Sequence, residues 1–348
     1  MSTPPSVPSP FPASMRAIEA SGFGLDRLAQ VELPVPRPGK GEILVRIRAA
    51  SLNYRDLVIL KGLYKPDLPL PYVPASDGSG EVVGAGEGVT RFKIGDRVLP
   101  TYIQGWHDGM PTPEQRSQRT LGAPLTGVLQ DYVVVPAEDA VATPAHLDDT
   151  MAATLPIAAV TAWSALMEGG IKAGDRVLVQ GTGGVAIFAL QFAKLMGARV
   201  IALSSSDEKI GRVRKLGADV AINYKEVPDW EHAVREATGG RGVDIAIETA
   251  GATLARTLAA LAFGGTVSVI GFVGGLEAKL AVTSLIGSMA RVRGIAVGSR
   301  AAFEAMNRAI EAHALTPVVD RVFPFEAVPE AFALMERGGH FGKIVIEL

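Results

Sequence analysis

The sequence contains no cysteine among its 348 residues. That removes every disulfide, every thiolate metal site and every cysteine nucleophile from consideration. It is also the usage of a reducing compartment, so a cytoplasmic location is expected. Histidine is scarce: His107, His146, His232, His313 and His340 are scattered and form no paired spacing of the metal-ligating kind. No excess of charge of either sign is present. The net charge is −2 at pH 7, which gives no reason to expect nucleic acid or an anionic membrane as a partner. No apolar run reaches the length of a membrane span. Residues 2–12 lack the charged and apolar regions of a signal peptide, and their Pro and Ser content reads as a loose tail over residues 1–14. There is no internal repeat.

What is present is ordinary globular composition, with 48% hydrophobic and 20% charged residues, in a chain long enough for two domains. One stretch organises it. Residues 177–180 are a short apolar run of strand type, followed by Gly181-Thr182-Gly183-Gly184-Val185-Ala186. An almost continuously apolar segment then runs to Met196, and a second strand-like run covers residues 199–203. Strand, glycine turn, helix and strand within about thirty residues are the parts of a βαβ unit. Gly181 permits the tight turn, Gly183 lets a pyrophosphate approach the backbone, and Ala186 holds the position where helix packs on strand. The helix starting near Gly184 would aim free N–H groups and its positive dipole end at phosphates. Thr182 and Val185 complete the turn, and dinucleotide binding is the reading.

The end of the second strand selects between cofactors. A ribose 2′-OH calls for Asp or Glu there. The chain offers Ser204, Ser205 and Ser206, then Lys209 and Arg212. Hydroxyls and cations suit a 2′-phosphate. Asp207 and Glu208 fit the first turn of the next helix, with Ser206 as N-cap. The expected cofactor is NADPH.

Along the chain, residues 15–18, 29–33, 42–52, 79–83, 92–99 and 128–135 read as strands separated by Pro/Gly turns. Residues 53–61 read as a short helix or turn, residues 101–127 as a long functional or covering loop, and residues 140–144 as a linker. From residue 175 strands at 177–180, 199–203, 220–222, 244–248, 266–270 and 292–297 alternate with helices, the pattern of a doubly wound parallel sheet. A further amphipathic helix carries Phe303, Met306 and Ile310. The segments 318–323, 329–335 and 343–346 have no place in that sheet and are expected to return to the first domain.

Four motifs, Ser51-Leu52-Asn53-Tyr54-Arg55-Asp56, Gly95-Asp96-Arg97-Val98, Gly181-Thr182-Gly183-Gly184-Val185 and Gly342-Lys343-Ile344-Val345, carry a resemblance to the medium-chain dehydrogenase/reductase superfamily. It covers nearly the whole chain after about residue 14. The resemblance implies an α/β fold: a GroES-like β-rich catalytic domain, residues 15–143 and 299–348, plus a Rossmann doubly wound parallel sheet in residues 144–298. Zinc members of the superfamily place Cys where Asn53 stands and Gly-His-Glu where Ala75-Ser76-Asp77 stands, and carry four cysteines near residues 101–127. None of these ligands is present, so no metal site is expected. The chain is similar to the zinc-free branch of quinone oxidoreductases and enoyl reductases.

Without a metal, hydrogen-bond donors must stabilise the oxygen that gains charge when hydride is transferred. The resemblance points to the segment from Asn53 to Tyr64. Tyr64 resembles a tyrosine kept by enoyl reductases of this superfamily, and a phenol is a donor at neutral pH. Asn53 is the second candidate, with Tyr54 and Arg55 as alternatives. Packing of Tyr64 on a neighbouring strand, and a turn role for Asn53, are the competing readings. Trp106 and His107 are read as a surface cap over the loop, with roofing of the pocket as the alternative, and Asp56 as an anchor for the short helix or a nearby Arg. Thr161, Gly271-Phe272 and Phe341-Gly342-Lys343 match places where the family lines the nicotinamide end, and Tyr224 one where it flanks the adenosine phosphate. The implied function is zinc-independent hydride transfer from NADPH to a small carbonyl compound such as a quinone, enone or aldehyde. A nucleotide-binding protein with little turnover, and an alcohol dehydrogenase working without zinc, are the alternatives. The family habit of pairing sheets edge to edge near Val292 implies a homodimer.

Overall fold

Strands buried on both faces must be apolar at every position, and the run Val177-Leu178-Val179 is built that way, with each residue at most 1% exposed. Val177 and Val179 join one core with Ile187, Leu190 and Phe192. Leu178 points to the opposite face and packs with Ile201, Trp230 and Leu258. This alternation fixes the sheet between two helical layers. The structure, a computed structural model, describes residues 11–348. Most of the expected tail lies outside the described residues, and Ser14 already opens the first strand.

The parallel sheet contains Arg176–Gln180, Arg199–Ser204, Val220–Asn223, Val243–Glu248, Leu261–Val269 and Arg291–Gly294. Their spatial order is third, second, first, fourth, fifth, sixth, and every neighbouring pair is parallel. The order reverses between the first and fourth strands. In a doubly wound sheet a ligand binds in the crevice at that point, beyond the carboxyl ends of the strands.

The second sheet has seven strands. Its path runs Val319–Pro324, Lys343–Glu347, Glu42–Ser51, Asp77–Ala85, Arg97–Pro100 and Ala140–Ala142, and Tyr132–Pro136 also pairs with Glu42–Ser51. A separate hairpin joins Ser14–Ala20 to Leu28–Pro34. The expected linker at 140–144 is corrected here: Ala140–Ala142 pairs with Arg97–Pro100, and Ala140 and Val141 are buried. The helix Arg300–Ala312, capped by Ser299 Oγ on Ala302 N at 3.2 Å, sits between the sheets. It buries Phe303, Met306 and Ile310 in a cluster shared with Ile187 and Leu166 but also with Leu99 and Val141.

Two helices escaped the sequence reading. Pro113–Gln118 is short and polar all round, so it has no apolar periodicity. It stands because Thr112 and Gln115 exchange backbone and side-chain hydrogen bonds of 2.8 and 3.1 Å, with Pro113 in the first turn. Val282–Ser288 buries no residue completely.

The returning segment locks the two sheets together at Gly342. Its N–H donates to Thr182 O at 2.8 Å. Its φ is +85°, and a Cβ there would lie 2.3 Å from Val318 O. Gly342→Ala therefore meets both backbone strain, about 1 kcal/mol or more, and a collision with backbone. Gly338 also has a positive φ, +67°, but open space around it. Gly342→Ala is expected to lower the thermal unfolding midpoint several degrees further than Gly338→Ala; equal midpoints for the two variants would contradict this account.

Candidate active site

A cleft of about 650 Å³ opens between the two sheets, at the switch point of the parallel one. The glycine turn forms its inner wall. Gly181 adopts φ +78° and donates its N–H to Leu203 O at 2.9 Å, which turns the chain out of the first strand. Gly183 precedes the helix Gly184–Leu195, and a Cβ added to it would meet nothing within 4 Å, only the cleft. Gly184 is constrained differently: a Cβ there would lie 2.5 Å from Lys343 Cδ and 3.2 Å from Ala158 Cβ. A phosphate-sized space against a bare backbone and an uncapped helix start fits the pyrophosphate of a dinucleotide.

The residues assigned from sequence to the glycine turn and the nicotinamide end border this cleft with one exception. Thr161, Thr182, Val185, Gly271, Phe272 and Lys343 border it together with Gly181, Gly183 and Gly184. At its far end stand Ser204, Ser205, Lys209 and Tyr224. Ser206 Oγ caps the following helix by accepting Lys209 N at 3.4 Å. Lys209 Nζ is anchored on His340 O at 3.0 Å and Gly338 O at 3.4 Å. Arg212 is not available to a phosphate: its guanidinium pairs with Asp320 at 3.3 Å and stacks 3.9 Å over the Phe341 ring. The exception is Phe341 itself, expected at the nicotinamide end. It is 1% exposed and packs in the core with Ala158 and Phe188. Its ring turns inward while the cleft is bordered on either side by His340 and by Gly342 and Lys343.

The floor of the cleft is polar and tightly bonded. Asn53 follows the strand Glu42–Ser51 and opens the helix Tyr54–Leu60. Its backbone N–H donates to Asp56 Oδ2 at 2.9 Å, its Nδ2 to Asp77 Oδ2 at 2.9 Å, and its Oδ1 accepts Lys343 Nζ at 2.6 Å. Lysine can only donate and carboxylate oxygen accepts, so the amide has one orientation that satisfies both neighbours. Lys343 Nζ also donates to Leu52 O at 2.6 Å and lies 3.9 Å from Asp77 Oδ2. Asp77 Oδ2 accepts from Ile157 N at 3.2 Å as well, where the wide turn Leu155–Ala159 interrupts the helix at Pro156. Asp77 Oδ1 is buried with no partner.

Burial dominates the electrostatics here. It pushes the Asp77 carboxyl up to about 7, partly offset by the Lys343 ammonium and the Asn53 amide. Burial also pulls the Lys343 ammonium down, offset by Asp77 and Asp56. The Asp56 carboxyl is raised by burial and drawn back chiefly by Arg55. Asp56 anchors its surroundings, accepting from Ser76 Oγ at 2.8 Å beside the Arg55 guanidinium.

These residues do not fit a zinc ion. At the position of a metal-binding cysteine, Asn53 is bonded to a cation through Oδ1 and to a carboxylate through Nδ2. At the position of a metal-binding histidine, Ser76 is committed to Asp56 and Arg55. Among the described residues no group of three or more His, Cys, Asp or Glu could hold a metal.

On the wall built around Phe272, Tyr64 is half-exposed and its ring stacks on Phe272, centroids 6.5 Å apart at 16°. Tyr54 meets the same Phe272 edge-on at 6.0 Å. Tyr102, Ile103 and Arg116 complete this wall from the 101–127 segment. Sequence reasoning missed these three; the only signal was a polar loop too long to be a plain connection. It had weighed Trp106 and His107 instead. Neither borders the cleft: Trp106 Nε1 donates to Gly109 O at 2.9 Å, and His107 Nε2 lies 3.0 Å from Asp139. Arg55 is likewise spent on Leu121 O and Ala123 O, at 3.0 and 3.1 Å.

The same architecture recurs in known proteins. Residues 39–145 match the alcohol dehydrogenase GroES-like domain and residues 184–312 the zinc-binding dehydrogenase family. A zinc-type alcohol dehydrogenase-like protein of Schizosaccharomyces pombe is 45% identical over 95% of this chain and 97% of its own length. A Sinorhizobium meliloti crystal structure described as an alcohol dehydrogenase is 46% identical, with TM-score 0.92 over 97% of this chain and all of the other. The structure of an NAD-dependent alcohol dehydrogenase follows at 35% identity and TM-score 0.88, covering 96% of this chain and all of the other. That of a 2-octenoyl-CoA carboxylase reductase holding NADP and 2-octenoyl-CoA has 28% identity and TM-score 0.88, covering 97% and 88%. Likeness of this extent, running through both sheets and the cleft between them, makes the chain a member of the medium-chain dehydrogenase/reductase superfamily.

Proposed function

We propose that the protein is an NADPH-dependent, zinc-independent reductase of small carbonyl compounds, of the quinone, enone or aldehyde type. One observation carries the reading: the glycine turn, the Ser204-Ser205 end and a tyrosine-lined pocket share a single cleft whose floor is filled by hydrogen bonds. The turn and the start of the helix Gly184–Leu195 would hold the pyrophosphate, Ser204, Ser205, Lys209 and Tyr224 the adenosine phosphate, and Thr161, Gly271 and Phe272 the nicotinamide end. When bound, the reduced nicotinamide supplies the hydride. The chain's own part is to align the carbonyl, exclude water behind Tyr102 and Ile103, and offer hydrogen-bond donors to the oxygen that becomes negative. Tyr64 is the donor on the pocket wall, and Asn53 helps by fixing the floor beneath it.

A second copy of the chain is the proposed partner. The strand Arg291–Gly294 is the last of its sheet, with Val292 42% exposed. Phe263, Ile286 and Val282 are also well exposed on the adjoining elements. An open strand edge beside apolar side chains favours pairing with its own copy.

No carboxylate occupies the site that would bond a ribose 2′-OH, so the parent protein is expected to prefer NADPH to NADH. Ser205→Asp should weaken NADPH about tenfold or more through like-charge repulsion, with little loss for NADH. Fluorescence titration with both cofactors tests this, and equal affinity in the parent protein would end the NADPH reading.

Tyr64→Phe keeps the ring that stacks on Phe272 and removes only the hydroxyl. It is expected to lower kcat between about tenfold and a hundredfold, the range for losing one donor to a developing oxyanion, while NADPH affinity holds. Unchanged kcat on the best carbonyl substrate would show that Tyr64 only packs the wall. A survey of quinones, enones and aldehydes with no NADPH oxidation at all would favour a nucleotide-binding protein with little turnover.

A further inference from the structure

Strands covered on both faces are apolar, and Ile245, Ala246 and Ile247 obey that rule at 1% exposure or less. Glu248 ends the same strand and is wholly buried. Burying a carboxylate is costly unless hydrogen bonds replace its water, and here they do. Its Oε1 accepts Ala250 N, Gly251 N and Thr253 Oγ1, each at 2.9 Å. Its Oε2 accepts Gln180 Nε2 at 3.0 Å and the Thr257 hydroxyl. All five donors are neutral. Gln180 ends the first strand just before the glycine turn, so the carboxylate spans the two strands between which the order of the sheet reverses. The backbone donors belong to the turn that leaves the fourth strand. An apolar residue at 248 would avoid the cost of burial but would deprive both N–H groups of this partner.

That turn is a platform for residues 270–275. Ile270 N donates to Glu248 O at 2.9 Å, and Gly274 N to Ala250 O at 2.8 Å. A Cβ on Gly271 would lie 2.4 Å from Thr249 O, so the two backbones touch there. Between these contacts stands Phe272, whose ring meets both Tyr64 and Tyr54.

We infer that Glu248 is a positioning residue. Its carboxylate fixes the 249–251 turn, the turn fixes residues 270–275, and Phe272 is thereby held where the two tyrosines pack on it. Phe272, Tyr54 and Tyr64 border the cleft, whereas Glu248 does not. The consequence for turnover rests on the reductase reading above, because a displaced Phe272 would displace Tyr64, and a donor misplaced by about an ångström loses much of its effect. The consequence for the backbone does not depend on that reading.

The test uses full-length Glu248→Met, which keeps the length of the side chain and removes both acceptors. In the unliganded protein, amide hydrogen exchange is expected to quicken about tenfold or more over residues 249–251 and 270–275, while the helix Gly184–Leu195 keeps its rate within about threefold. With NADPH and the best carbonyl substrate, kcat is expected to fall about tenfold or more. Since Glu248 acts through Phe272, the double variant with Phe272→Ala should fall little below Phe272→Ala alone. Should Glu248→Met fail to fold, Glu248→Asp keeps the charge but draws the carboxylate back by one methylene, and the same pattern is expected at smaller amplitude. Unchanged exchange at 270–275 overturns the inference, as does a rise shared equally by the helix, which is loss of stability alone. Losses of kcat that simply add in the double variant also overturn it, because Glu248 would then act by another route. A parent protein that reduces no carbonyl removes the reductase reading instead, and the exchange pattern then decides the role of Glu248 by itself.

Discussion

The hydrogen bond from Gly342 N to Thr182 O is the point on which both halves of the molecule turn. On one side of it lies the glycine turn of the parallel sheet. On the other begins Lys343–Glu347, a strand inside the seven-stranded sheet. Because Gly342 has no side chain, the two backbones can touch, and because Gly184 has none, Lys343 can pass between them to the cleft floor. The same few atoms that join the domains therefore also shape the cleft between them. The bond does not act alone: the helix Arg300–Ala312 shares a core with both sheets, and Lys209 reaches across to His340 O.

Much of the fold was legible because its physical causes are local. Continuous apolar runs such as 177–179 and 200–203 declare strands covered on both faces, and the glycines between them declare the turn. All six parallel strands overlap the segments expected from sequence, although the fifth, Leu261–Val269, begins five residues before the expected 266. What failed was equally local in cause. Ala140–Ala142 looked like a linker because three small residues between turns carry no periodicity; it becomes a strand only because Arg97–Pro100 lies alongside. The helix Pro113–Gln118 rests on a reciprocal cap, not on an apolar face.

The candidate site was legible in its residues more than in its contacts. Asn53, Tyr64 and the glycine turn are marked by motifs, and all reach the cleft. Phe341 was misplaced because a motif gives order along the chain but not which way a ring turns, and this ring serves the core and the Arg212 guanidinium. The partnership of Asn53 with Lys343 spans 290 positions. Neither residue's neighbours in sequence hint at the other, so the cation on the floor emerges only when Lys343–Glu347 is seen beside Glu42–Ser51. Tyr102 and Arg116 were hidden in a segment whose composition says loop and nothing more.

The placement of that last strand also bears on how the chain is made. Ser51 Oγ donates to Ile344 O across 293 positions, and Val345 pairs with Ser51 in the sheet. Segments emerge from the ribosome in order, and domains fold as units while synthesis continues. The strands of the parallel sheet, residues 176–294, are complete well before residue 343 is added. The seven-stranded sheet must meanwhile hold an open slot between Glu42–Ser51 and Val319–Pro324, with strand edges unpaired. The half of the molecule that would hold the nucleotide can thus mature during translation, whereas the half that would hold the substrate waits for nearly the final residues of this sequence. In that interval it presents the kind of exposed edge on which chaperones act.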